Sequence, residues 1–136
     1  MSLSEKIQLI PRKHIKDSRG WFLKVIDGKE ENLPTYTGEV YFTNALPGQF
    51  KGGHYHLKAT EWFTLIKGNC DLYLVDIETE EQMIVNLSSD NPITVYVPSK
   101  IAHSFLNTGS DEYILVAYND VLYDPKDTIP FDFNYL

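Results

Sequence analysis

Apolar and polar residues alternate in short runs along most of this chain, and that two-residue period predicts strands. The runs are 39–46 (EVYFTNAL), 61–66 (EWFTLI), 70–76 (CDLYLVD), 81–87 (EQMIVNL), 93–97 (ITVYV), 103–107 (HSFLN) and 112–118 (EYILVAY). Turn chemistry separates them: Lys67-Gly68-Asn69, the acidic stretch from Glu78 to Glu80, Pro98, and Thr108-Gly109-Ser110-Asp111. Upstream, Ile7–Ile10 and Trp21–Ile26 also read as strands, with Asp17-Ser18-Arg19-Gly20 as a turn between extended pieces. No segment carries a sustained apolar stripe at helical period, so an all-β sandwich or barrel is expected. With no repeat, linker or low-complexity stretch, residues 1–136 read as a single domain.

Composition narrows the partners. A formal net charge of -7 argues against nucleic acid or an anionic membrane surface, though a few local cations suffice for an anionic small ligand. Cys70 is the only cysteine, so no intrachain disulfide forms, and a reducing, cytoplasmic setting is expected. No apolar run is long enough for a membrane span, and the N-terminus lacks a signal-like stretch.

The chemistry concentrates in His54, His56, Glu61 and His103. Residues two apart on a strand face one side, so His54 and His56 can enter one cavity. Glu61 opens the next strand pattern, and a barrel can fold His103 beside them. Imidazoles plus a carboxylate suit a divalent transition metal such as Zn, Mn, Fe or Ni, or else acid/base work. His14 lies in a basic stretch and reads as a solvated side chain. Trp62 follows Glu61 and therefore points away from the cavity, toward core or dimer packing. Phe131, Phe133 and Tyr135 alternate with polar residues and are expected to dock on the barrel or on a partner subunit.

This arrangement resembles the cupin family. Gly48, His54, His56, Glu61 and Gly68 meet every position of that family's first motif. Pro98, His103 and Asn107 match the second, where Pro92 and Lys100 replace its two glycines. The resemblance implies a jelly-roll β-barrel, here with an extended N-terminal strand. Asp17-Ser18-Arg19-Gly20-Trp21-Phe22 and the tail Asn119–Pro125 are similar to segments of the nucleotide-sugar 3,5-epimerases and 3,4-ketoisomerases of deoxysugar biosynthesis. The span from Gly52 to Phe131 also resembles the C-terminal cupin domain of capsular-polysaccharide sugar-modifying reductases, a domain that carries a metal. The epimerases and ketoisomerases generally work without one, and they place an arginine where Lys51-Gly52-Gly53 stands here.

The resemblance implies an isomerase acting on a nucleotide-linked keto sugar of the dTDP- or UDP-4-keto-deoxyhexose type, in cell-surface polysaccharide synthesis. Such a reaction needs a base beside the carbonyl, an acid or electrophile for the enolate, and a group that returns the proton. His54 or His56 is the candidate base. If a metal occupies their nitrogens, Tyr118 or Tyr123 must move the proton. Arg19, Lys51 and Lys58 are candidate diphosphate contacts, and Tyr73 or Trp62 a candidate stacking surface. Other outcomes compatible with the residues are a dioxygenase, a sugar-phosphate isomerase, and a non-catalytic sugar- or metal-binding cupin. A homodimer is expected, because open barrels leave sheet edges that extended N-terminal segments cover.

Overall fold

The structure, a computed structural model, describes residues 1–35 and 38–135. Two five-stranded antiparallel sheets face each other. The first has the order β1 (Gln8–Pro11), β9 (Ile93–Val97), β6 (Glu61–Lys67), β11 (Tyr113–Asn119), β4 (Glu39–Ala45). The second runs β12 (Ile129–Pro130), β5 (Phe50–Tyr55), β10 (Ile101–Asn107), β7 (Asn69–Asp76), β8 (Gln82–Ser88). This is the all-β jelly roll expected of a cupin, and the N-terminal strand β1 forms one edge of the first sheet. A separate hairpin pairs β2 (His14–Asp17) with β3 (Gly20–Leu23).

Strict alternation sorts the side chains. Phe63, Leu65, Val95, Leu115 and Ala117 of the first sheet meet Leu72, Leu74, Leu87 and Phe105 of the second in the main core. The odd positions of β7 face the other way. Tyr73 and Val75, with Ala102, lie under Phe133 and are flanked by Phe131 and Tyr135. The C-terminal tail thus docks on the barrel's own outer face, where the Tyr135 hydroxyl stands 3.1 Å from Ser104 Oγ.

The seven main runs appear as strands within two residues of their expected bounds. The expected strand Trp21–Ile26 is shorter: β3 ends at Leu23, and Val25 then crosses the first sheet, its carbonyl accepting from Thr94 Oγ1 at 2.9 Å. A one-turn helix α1 (Leu3–Lys6) was not expected; it is too short to show a periodic stripe. The Glu5 carboxylate accepts from both the amide and the hydroxyl of Ser2, a reciprocal cap that seats Leu3 and Ile7 in the core. His14 is not solvated: both ring nitrogens are buried without partners, and the ring meets Trp21 edge-on at 4.9 Å. No helix is long and apolar enough to cross a membrane among the described residues.

Two backbone details position the site. At Gly52, φ is +95°, and a Cβ there would stand 2.7 Å from the His103 carbonyl, so only glycine lets β5 approach β10 this closely. Beside it, the β5–β10 register shifts between His103 and Ser104. Lys100, standing where the cupin motif has glycine, adopts the left-handed conformation glycine would take, with φ of 66°. Its amide donates to the His56 carbonyl at 2.6 Å.

Candidate functional site

The hydrophobic filling gives way to polar groups at one end of the sandwich. His103 on β10 lies opposite His54 on β5, and Asn119 on β11 lies opposite both Glu61 on β6 and Glu39 on β4. A cavity of about 340 Å³ opens there, lined by Glu39, Tyr41, His54, His56, Glu61, Asn119, Tyr123 and Thr128. His103 lies under it, only 2% exposed, against the rings of Phe63 and Phe105.

His54, His56, Glu61 and His103 converge, each offering one atom such that all four atoms lie within 4.8 Å of one another. Glu61 is 2% exposed. Its Oε1 stands 2.9 Å from His56 Nε2 and 3.3 Å from His103 Nε2. Close as these contacts are, Oε1 has no hydrogen-bond partner. The far nitrogens explain the arrangement. His56 Nδ1 is 2.8 Å from the Asp127 carbonyl, and His103 Nδ1 is 3.1 Å from the Ile101 carbonyl. A carbonyl can only accept, so both Nδ1 atoms carry hydrogen, and each ring in its neutral form turns an Nε2 lone pair toward Glu61. Two lone pairs aimed at a carboxylate oxygen repel it unless a cation lies between, or unless the rings are protonated. Asn119 Oδ1, also on the cavity wall, is buried without a partner as well.

Charge follows the same geometry. Burial lowers the His54 pKa to about 4, helped by repulsion from His103 and His56 and opposed by Glu61, so this ring is neutral near pH 7. Burial also pushes His56 down, but the Glu61 carboxylate outweighs it and raises the ring above its ordinary value. For Glu61, burial opposes ionisation, and the imidazoles of His103 and His56, as protonated donors, hold the carboxyl below the usual carboxylate range regardless. Tyr41 reaches Glu61 Oε2 at 3.5 Å. Its phenol is raised by burial and by the Glu61 charge, so it keeps its proton well above neutrality.

Of the other anticipated residues, Tyr123 reaches this cavity, and its amide donates to the Glu39 carboxylate. Tyr118 does not. It pairs across β11–β6 with Trp62 and stacks on that indole at 5.3 Å on the outer face, so the cavity position on β11 belongs to Asn119. Tyr73 is likewise corrected: it is buried under the tail against Phe133 and Tyr135, on the opposite face of the second sheet. Arg19 sits on the β2–β3 hairpin and pairs with Asp17 at 2.7 Å, away from the cavity lining. Lys51 and Lys58 are exposed and also stand outside the lining. Trp62 points outward, as alternation predicts, between Tyr96 and Tyr118.

Several site residues escaped sequence reasoning: Glu39, Tyr41, Asn119, Thr128 and Asp127. Alternation on 39–46 places Glu39 and Tyr41 on one face, but which face depends on register. Asp127 follows an Asp-Pro turn signal, and nothing in the sequence names its partners. Burial opposes its charge, yet the amides of Ala59, Leu57 and Lys58 outweigh that and hold its carboxyl below the ordinary range.

Residues 15–130 match the family described as Polysaccharide biosynthesis C-terminal domain. The chain is 26% identical to the spore coat polysaccharide biosynthesis protein SpsL of Bacillus subtilis, covering 85% of this chain and 82% of that protein. It is 26% identical to the UDP-2-acetamido-2,6-beta-L-arabino-hexul-4-ose reductase of Pseudomonas aeruginosa, covering 79% of this chain but only 27% of the reductase. Among solved structures, a dTDP sugar isomerase from Desulfovibrio desulfuricans superposes with a TM-score of 0.86 at 21% identity, over 94% of this chain and 85% of the other.

Proposed function

This chain belongs to the polysaccharide biosynthesis C-terminal domain family, and on that premise we propose that it is an isomerase-type enzyme modifying a nucleotide-linked sugar. The substrate class is a dTDP- or UDP-linked 4-keto-deoxyhexose, epimerised or keto-isomerised beside its carbonyl. SpsL and the dTDP sugar isomerase are named for polysaccharide biosynthesis and for a dTDP sugar, which supports this class. His54, His56, Glu61 and His103 would hold a divalent transition metal.

One observation carries the metal reading: the buried, unpartnered Glu61 Oε1 between two imidazoles whose Nδ1 atoms are tied to carbonyls. Hydrogen-bonded Nδ1 with free Nε2 is how a protein prepares histidine for a metal. When bound, such a metal supplies a Lewis acid that polarises a carbonyl oxygen. The chain's own groups do the rest. Glu61 and the two locked rings hold their geometry before any ligand arrives, so little reorganisation is needed. Tyr41 keeps its phenolic proton beside Glu61 and is the donor to a developing enolate oxygen. Tyr123, anchored through Glu39 at the cavity rim, moves the proton, taking it from the carbon beside the carbonyl and returning one to carbon, so that no net proton is consumed. Arg19, Lys51 and Lys58 remain the candidate partners of the diphosphate, whose charge must be met outside a cavity lined by Glu39 and Glu61.

A second reading has its own support. His54 is neutral and has no carbonyl on either nitrogen, so it is free to act as the base in a metal-free reaction. Incubation with dTDP- and UDP-linked 4-keto-6-deoxyhexoses in deuterium oxide tests the activity. Deuterium appearing on a carbon beside the ketone is expected; full retention of hydrogen with both substrates would refute it. Survival of exchange after chelation would select the His54 base over the metal.

A homodimer is part of the proposal. The hairpin exposes Ile15, Trp21 and Phe22, and the edge strand β4 exposes Val40 and Phe42. Such apolar surface on an unpaired edge favours a second copy. Light scattering should return twice the chain mass.

A further inference from the structure

Asp127 closes the 3₁₀ turn Pro125–Asp127 in the tail, about seventy positions from the segment it grips. Its two polar ends reach one short stretch. The carboxylate Oδ1 accepts from the amides of Leu57 at 2.8 Å and Lys58 at 3.0 Å, and Oδ2 accepts from Ala59 at 3.0 Å. The main-chain carbonyl of the same residue meets His56 Nδ1 at 2.8 Å. Residues 56–60 connect β5, which carries His54, to β6, which opens with Glu61. Asp127 is itself 7% exposed, so this is an internal clamp rather than a surface contact.

The clamp has a chemical consequence. The carbonyl obliges His56 to carry its hydrogen on Nδ1 and to leave Nε2 bare toward Glu61. The carboxylate fixes the turn that sets how far His56 stands from Glu61, and it supplies the acceptor for the buried Ala59 amide. Neither end of Asp127 touches the cavity.

We propose that Asp127 is a positioning residue: it fixes the tautomer and placement of His56 and thereby strengthens the site's hold on a divalent cation. The cation half rests on the metal reading above; the tautomer half does not. The full chain, freed of metal by chelation and labelled with ¹⁵N, gives the tautomers through two-bond imidazole correlations. Wild type should show His56 with hydrogen on Nδ1 and a bare Nε2. Asp127→Ala keeps the main-chain carbonyl but removes the carboxylate that pins it against residues 57–59, so the carbonyl should no longer be fixed on Nδ1 and the ring should become a mixture of tautomers. His103, held separately by the Ile101 carbonyl, should stay unchanged and serves as the internal control. Zinc affinity, read by competition with a chromophoric chelator, should fall about 10–100-fold, the usual effect of losing an outer partner of a ligating histidine. Asp127→Asn keeps one acceptor oxygen and should show a smaller change of the same kind.

Unaltered His56 tautomer with wild-type zinc affinity in Asp127→Ala would overturn the proposal. So would equal scrambling of His56 and His103, which would mark a merely structural role. If the alanine variant does not fold, the asparagine variant decides by the same two criteria. Should wild type itself bind no zinc, the metal reading fails, and the tautomer comparison alone judges Asp127.

Discussion

The two faces of the first sheet carry opposite kinds of chemistry on neighbouring residues. Inward lie Glu39, Tyr41, Glu61 and Asn119, polar groups around a cavity, with unpartnered acceptors at Glu61 and Asn119. Outward, one residue along each strand, lie Val40, Trp62 and Tyr118, which line an apolar cavity of about 320 Å³ together with Val25, Ile26, Leu33 and Pro34. The outward face leaves one buried donor, Trp62 Nε1, without a partner, but next to it a polar network of Arg12, Thr64, Thr94 and Glu30 is paired. Arg12 Nε donates to Thr94 Oγ1 at 2.8 Å, Thr94 meets Thr64 at 2.8 Å and the Val25 carbonyl at 2.9 Å, and Arg12 pairs with Glu30. The inward face gathers carboxylates and imidazoles around a cavity; the outward face is mainly aromatic and aliphatic. A single step along a strand thus separates a polar group lining the cavity from an apolar one on the outer face.

That contrast breaks most visibly if the faces are altered one at a time. Trp62→Ala should destabilise the protein by about 3–5 kcal/mol through loss of a buried aromatic, read as a lower urea midpoint, while the folded fraction still binds metal. Metal binding lost in folded Trp62→Ala would show that the faces are not separable. Glu61→Gln should do the reverse. Exchange activity should drop on the order of 100-fold, or about 2.7 kcal/mol, because a proposed metal ligand is removed, while glutamine keeps the side chain's shape and the protein stays folded by urea titration. A collapse in stability without loss of activity would contradict the assignment of Glu61.

The next contrast is within β11 and β4. Tyr41→Phe should lower turnover about tenfold, whereas Tyr118→Phe should leave it within about twofold, since that ring only stacks on Trp62. Equal effects would put Tyr118 back in the chemistry.

The outward network also gives a pH dependence. Burial opposes the Glu30 charge, but hydrogen bonds from the Asp27 amide and Arg12 outweigh it and bring the carboxyl from an ordinary 4.5 down to about 2. A carboxyl depressed in the folded state contributes stability that is complete above its unfolded value and lost as pH falls through the folded one. The gap in urea midpoint between wild type and Glu30→Gln should therefore be constant above pH 5 and close between roughly pH 4.5 and 2. A gap that widens on acidification would reverse the sign.

How much of this the sequence carried follows from the same geometry. Strands were legible because their alternation is local. The four ligand-type residues were legible because two motifs with rigid spacing flank strands that a barrel brings together. Tyr118 misled because it and Asn119 are adjacent, and only the pairing of β11 with β6 decides which one enters the cavity. Tyr73 misled for another reason. Both faces of β7 are covered, one by the opposing sheet and one by Phe133 and Tyr135 from the distant tail, so burial did not identify the inner face. Asp127 was invisible because its role depends on backbone amides and a ring nitrogen some seventy positions away.

The smallest expected effect is at Lys100, a non-glycine residue in left-handed conformation next to His56. Lys100→Gly should raise stability by up to about 1 kcal/mol, relief of strain being partly offset by the greater freedom of glycine when unfolded. A lower urea midpoint would mean that the lysine side chain contributes more than its backbone strain removes.

The proposed metal site requires a cation between Glu61 and the imidazoles. Elemental analysis of untagged protein by plasma mass spectrometry, in parallel for wild type and His56→Ala, tests this most directly. Stoichiometric divalent transition metal in wild type and its loss in the variant is the predicted result; equal content in the two proteins, including none in either, would contradict it.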